Sequence, residues 1–264
     1  MTLQRILMTI VLVFLPYVSP SQLKVSADSL YLTEQDGTPV LLNGDGGWQI
    51  FTHITLTEAN TYLADCAAKG LNYLQTQLIS DGFGALSPRN IYGVAPFTGA
   101  NFTTPNEPYF RHADSVINLA ATYNIYVMLY PTYLGSNSNE GWQTEIGQAS
   151  FAAMKSWGQY LGNRYRDFPN ILWGMAGDFN PTAYIAKIES TVAGIRQYDT
   201  VHLMSTRDEP GTFASTHWPN RTWLTLNGFY PYWGSFDVWR CYQMARTSRA
   251  TARRQPYVLQ EARY

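Results

Sequence analysis

Two acidic residues in this chain each follow a short apolar run. Asp178 comes after Ile171-Leu172-Trp173-Gly174-Met175-Ala176-Gly177, and Glu261 after Val258-Leu259-Gln260. Apolar runs this short read as buried strands, which puts both carboxylates at strand C-termini. Two carboxyl groups facing one substrate are what cleavage of a glycosidic bond needs. One protonates the leaving oxygen, and the other attacks the anomeric carbon or activates water. Asp178 also has the plainer reading of a helix cap, but Asn180 stands just before Pro181 and is better placed for capping. The plainer reading of Glu261 is a solvated charge near a chain end. The apolar strand before it favours chemistry.

Other chemistries find little support. His53, His112, His202 and His217 are scattered, and no cysteine pair frames a metal site, so neither a metal nor a cofactor is expected. The chain has no Gly-x-Ser-x-Gly elbow, His-Glu-x-x-His helix or phosphate-binding loop. A net charge of -1 gives no reason to expect nucleic acid or an acidic membrane as partner. Cys66 sits on an apolar helical stripe and reads as a small buried hydrophobe; a disulfide with Cys241 is open to a secreted protein.

The carboxylates need a frame. Strands are expected at residues 40–42, 71–79, 125–130, 171–175, 202–205, 224–227 and 257–260, with helices near 57–69 (capped by Thr57), 109–123, 149–165, a helix starting at Pro181, and 237–247. Alternating strands and helices make an α/β fold with a parallel sheet. Short apolar strands leading into polar loops favour a TIM (β/α)8-type barrel, truncated before strand eight because the chain stops where strand seven ends. Arg5 followed by an apolar run of about ten residues reads as a signal peptide over 1–21. That leaves one barrel domain over 22–264, its C-terminal end incomplete, in a secreted or periplasmic protein that meets no membrane once the signal is removed. The oligomeric state is left open.

Polar residues at strand C-termini converge on one face of such a barrel. Asp45 and Trp48 follow the first strand, Gln75 lies in the second, Tyr130 ends the third, Trp142 lies in the loop beyond it, Asn180 follows Asp178, and Asn227 ends the sixth. These are the expected substrate-binding residues. Asp45 between glycines is also a turn former, and Trp48 and Trp142 are also candidates for the core. Aromatic residues make up 15% of the chain, including 8 Trp and 19 Tyr, which suits stacking on sugar faces as well as a large core.

Several segments resemble the apiosidase-like family of glycoside hydrolases, of the family 140 type. They are Tyr31-Leu32 to Trp48, Lys69-Gly70-Leu71-Asn72-Tyr73-Leu74-Gln75, Asn90-Ile91-Tyr92-Gly93 with Pro96-Phe97, and Pro105-Asn106-Glu107-Pro108-Tyr109-Phe110. Gly141-Trp142, Tyr160-Leu161-Gly162-Asn163-Arg164-Tyr165 and Gly177-Asp178-Phe179-Asn180-Pro181 complete the set. The resemblance implies a TIM barrel that hydrolyses glycosides, an apiose linkage in pectin being the best-known target. It also implies Asp178 as acid/base after strand four and Glu261 as nucleophile after strand seven. The family often carries Arg where Phe179 stands, and it continues past the nucleophile into an eighth strand.

The reading is a secreted, retaining glycoside hydrolase of plant cell-wall, pectic-type glycans. Its rivals are a carbohydrate-binding pseudo-enzyme with an incomplete barrel and an endo-acting glycanase.

Overall fold

The computed structural model describes residues 20–137, 139–231, 238–250 and 254–261. The expected signal peptide therefore lies outside the described residues except for Pro20 and Ser21.

The described chain begins with a small antiparallel sheet of β1 (Lys24–Val25), β2 (Leu32–Thr33) and β3 (Pro39–Val40). The barrel follows as β4 (Gly44–Gly46), α1 (Leu56–Ala68), β5 (Tyr73–Gln77), α2 (Glu107–Thr122), β6 (Tyr126–Tyr130), α3 (Gln143–Gln148), α4 (Phe151–Tyr165) and β7 (Ile171–Ala176). A 3-10 turn at Pro181–Ala183 leads into α5 (Ile185–Ile195), β8 (Met204–Arg207), α6 (Ala214–His217), β9 (Asn227–Phe229), α7 (Val238–Arg249) and β10 (Tyr257–Leu259). Strands β4 to β8 form one parallel sheet in chain order, and β9 and β10 form a parallel pair. The pair sits beside β8, tied to it by the Thr225 and Leu226 amides, which donate to the Met204 carbonyl at 3.0 Å.

The expected α/β barrel is thus present, with seven parallel strands among the described residues. Between β4 and β10 lies a cleft of about 600 Å³, lined by Tyr31, Gly44, Asp45, Gln75, Gln260 and Glu261 among others.

Strand alternation sorts the side chains into two cores. Leu74, Leu129, Trp173 and Met175 face the helices and meet Leu63, Ile117, Trp157 and Ile188. Tyr73, Met128, Tyr130, Leu172 and Leu226 face the barrel interior.

Several boundaries differ from the sequence reading. The first barrel strand is Gly44–Gly46 rather than 40–42, because Val40 pairs back onto Leu32 in the antiparallel sheet. Two glycines in three residues leave no side-chain alternation to reveal that strand. Thr55, not Thr57, caps α1: its hydroxyl accepts from the Glu58 amide while the Glu58 carboxylate accepts from the Thr55 amide. The fifth barrel strand starts at Met204, since His202 is held in the preceding turn by Asp199. The sixth starts at Asn227, because residues 224–226 are spent turning onto Met204. Ser150 caps α4, which splits the expected 149–165 helix from α3. Cys66 on α1 is buried and Cys241 lies on α7, and no disulfide joins the two.

Candidate active site

The site is built where β7, β8 and β10 end. After β7 the backbone turns sharply: Ala176, Gly177 and Asp178 take φ values of 58°, 150° and 54°. Such conformations cost on the order of 1–3 kcal/mol each for residues with a Cβ and persist only where surroundings enforce them. Gly177 is required by close approach, since a Cβ there would lie 2.2 Å from the Tyr133 ring. Tyr133 uses that space to donate from its hydroxyl to Asp178 Oδ2 at 2.9 Å. Burial drives the Tyr133 hydroxyl well above the usual phenol range, even with Arg207 nearby, so it stays a donor.

Arg207 ends β8 and is the centre of the site. Its side chain is 1% exposed. Nη2 donates to Asp178 Oδ1 at 3.0 Å and also to Glu261 Oε2. The guanidinium lies over the Trp48 ring at 4.5 Å and the Tyr230 ring at 4.3 Å, a cation between two aromatic faces. Burial works against its charge, but the Asp178 and Glu261 carboxylates outweigh burial and hold it more firmly protonated than usual. Nε and Nη1 are buried with no hydrogen-bond partner among the described residues. Asp178 and Glu261 keep part of their surface open, with side-chain exposures of 15% and 9%.

The residues picked from the sequence divide into three groups. Asp178, Glu261 and Trp48 converge on Arg207. Gln75 and Tyr130 lie just beneath, in the barrel interior. Gln75 Nε2 donates to the Gln260 carbonyl, and the Tyr130 hydroxyl accepts from Gln260 Nε2 at 3.2 Å.

The others are placed elsewhere. Asp45 bonds the Tyr62 hydroxyl on α1 at 2.9 Å and its own following amide, so its carboxylate is turned to the helix layer. Trp142 is a core residue, not a sugar platform: it is 3% exposed, donates to the Ile79 carbonyl, and meets Phe97 and Phe102 edge to face. The oxygen of Asn227 accepts from the Ser215 amide at the start of α6. Asn180 caps the turn at Thr182 and donates to Glu209 Oε1 at 3.0 Å, which occupies both ends of its amide.

Arg207, Tyr133 and Tyr230 are not among the site residues expected from the sequence. An arginine at the end of a strand was the available signal, because a buried guanidinium demands carboxylate partners. Glu209 and His217, paired at 3.0 Å beside Asn180, carried no such signal. Among the described residues no cluster of His, Cys, Asp and Glu fits a metal ion, and no helix is long and apolar enough to cross a membrane.

Known proteins resemble this chain. A glycoside hydrolase family 5 protein from Bacteroides vulgatus superposes with a TM-score of 0.80 at 25% identity, over 92% of this chain and 53% of that one. A second structure, described as a glycoside hydrolase, gives 0.75 at 26% identity over 90% and 55%. An endo-1,4-beta-mannanase from Rhizomucor miehei gives 0.65 at 17% identity over 90% and 80%, a likeness of fold alone. The chain spans about half the length of the first two structures. No curated protein matches it. The family model described as apiosidase-like, catalytic domain, matches residues 26–264, and the chain belongs to that family.

Proposed function

We propose that the chain is a retaining glycoside hydrolase in which Asp178 is the acid/base and Glu261 the nucleophile. One observation carries this reading: Asp178 and Glu261 both accept from the same nitrogen of Arg207. The nearest oxygens of the two, on one donor atom, stand no further apart than two hydrogen-bond lengths, about 6 Å at most, which supports a closely spaced pair. Inverting enzymes keep their carboxyl groups roughly 6.5–9.5 Å apart to admit a water, and retaining ones about 5–5.5 Å.

In this mechanism Glu261 attacks the anomeric carbon as Asp178 gives its proton to the leaving oxygen. Asp178 then takes a proton from water, which displaces Glu261 from the sugar. Tyr133 and Arg207 hold Asp178 by both oxygens, and Arg207 also orients Glu261. Trp48 and Tyr230 shield the guanidinium from water and strengthen these contacts.

The proposed substrates are plant cell-wall glycans of the pectic type, which family membership supports, and the proposed location is outside the cytoplasm. The N-terminal signal-like run supports that location.

The test is a screen of pectic and other cell-wall glycans with product sizing, run beside Asp178→Ala and Glu261→Ala. Release of a single terminal sugar, lost by on the order of 10²–10⁴-fold in each variant, is expected. Binding without any product would reduce the chain to a carbohydrate-binding protein. A ladder of oligomers would make it endo-acting.

A further inference from the structure

We infer that Gln260 is a positioning residue that fixes Glu261, and that Gly228 exists to give the Gln260 amide its berth. This rests on the reading of Glu261 as nucleophile.

Among the described residues, the strand that delivers Glu261 is paired on one side. β10 pairs with β9 through Tyr257, Val258 and Leu259, while its other edge faces the cleft toward β4. Three residues of ladder, with Tyr257 and Leu259 each 39% exposed, are a weak support for a catalytic carboxylate.

Gln260 supplies what the ladder lacks. Its side chain is turned into the barrel, and the residue is 3% exposed. Nε2 faces the Tyr130 hydroxyl of β6 at 3.2 Å and the Ser205 hydroxyl of β8 at 3.3 Å. An amide NH₂ has two hydrogens, so both contacts are met as donations. The Gln260 carbonyl takes the Gln75 Nε2 of β5, and its own amide donates to the Phe229 carbonyl of β9 at 3.0 Å. One residue thus ties the end of β10 to β5, β6, β8 and β9, directly before Glu261.

The amide fits because Gly228 has no side chain. A Cβ there would lie 2.7 Å from both Cδ and Nε2 of Gln260, and 2.4 Å from the Thr206 carbonyl oxygen. Gly228 stands opposite Val258 in the β9–β10 register, so any shift it forces acts directly on β10.

The experiment compares Gln260→Leu, Gly228→Ala and the double variant. Leucine keeps most of the volume and removes the donors. The probe is the 2,4-dinitrophenyl glycoside of whichever sugar the wild type releases. That leaving group departs without protonation, so the first burst of dinitrophenolate reads the attack by Glu261 and not the acid, and kcat here is the rate of that burst. The expected result is a loss of roughly a hundredfold in kcat, the cost of about 1 Å of misplacement, with KM within about threefold. Gly228→Ala and the double variant should lose at least as much, since a Cβ at 228 meets the Thr206 carbonyl as well as the Gln260 amide. A kcat within twofold of wild type, or a loss confined to KM, overturns the inference.

A second measurement needs no substrate. Amide hydrogen exchange at 258–261 should speed up about tenfold or more in Gln260→Leu while α1 is unchanged. Unchanged protection at 258–261 also overturns the inference. If the wild type hydrolyses no glycoside, the nucleophile reading falls, and the exchange result still decides whether Gln260 holds this strand.

Discussion

Asp178 and Glu261 lie 83 positions apart in the chain, yet they meet at a single nitrogen of Arg207. The cation is enclosed by Trp48 and Tyr230, so its charge is balanced by these carboxylates rather than by water. Arg207→Met should leave two partly buried carboxylates without their counter-charge. Breaking a buried ionic group of this kind costs about 3–5 kcal/mol. Urea unfolding at neutral pH is the check. Adding Asp178→Asn and Glu261→Gln to Arg207→Met should recover at least half of the loss. No recovery would mean that Arg207 acts by packing alone.

Tyr133 donates to the oxygen of Asp178 that Arg207 does not hold. Tyr133→Phe keeps the ring and removes one hydrogen bond to a charged group, worth about 1.5–3 kcal/mol. The expected loss in kcat is roughly ten- to a hundredfold on glycans. It should be much smaller on a dinitrophenyl glycoside, which does not need the acid. Equal losses on both would place Tyr133 outside the acid's support.

The two tryptophans picked from the sequence should separate in experiment. Trp142 is packed among Phe97 and Phe102, so Trp142→Ala should cost about 3–5 kcal/mol in stability. Trp48→Ala should lower activity through loss of the face that covers Arg207. Thermal melting and rate, measured on both variants, decide the assignment. Activity loss in Trp142→Ala beyond its unfolded fraction would restore it as a site residue.

Two buried aspartates should give opposite pH signatures. Burial pushes the Asp208 carboxyl well above its usual range, although Trp218 Nε1 donates to both its oxygens. The folded state therefore binds its proton more tightly than the unfolded chain does. Stability from this group is full below the unfolded value, about pH 3.9, and is lost as pH rises through the folded value. Asp208→Asn should thus raise the melting temperature at pH 7 relative to wild type, by more than at pH 4. For Asp199 burial also pushes upward, but bonds from His202 and Trp173 prevail and hold the carboxyl below its usual range. Its contribution is full above the unfolded value and is lost as pH falls through the folded one. Asp199→Asn should destabilise at pH 7 and progressively less toward pH 3. Parallel pH slopes for the two variants would contradict this.

The barrel was legible in the sequence because its strands are apolar runs and its helices carry caps and stripes. The short β4 was not, since Gly44-Asp45-Gly46 has no pattern to read, and the chain just before it looked more like a strand. Asp178 and Glu261 stand out in the sequence because a carboxylate that ends an apolar run is conspicuous. Arg207 went unassigned because its role depends on which carboxylates the fold brings to it. Asp45 and Asn227 show the converse: both sit at strand ends, but Tyr62 of α1 and the start of α6 claim their side chains. Strand-end position alone does not distinguish a side chain that faces the site from one that faces a helix.

The central claim is a close pair of carboxylates that work by retention. Its most direct test is proton NMR of the anomeric configuration of the first product released from a glycan that the enzyme cleaves, read before mutarotation. The arrangement of Asp178 and Glu261 on one nitrogen of Arg207 predicts a product with the configuration of the bond cleaved. An inverted product would mean that a water fits between the two carboxylates, and that Glu261 is a base rather than a nucleophile.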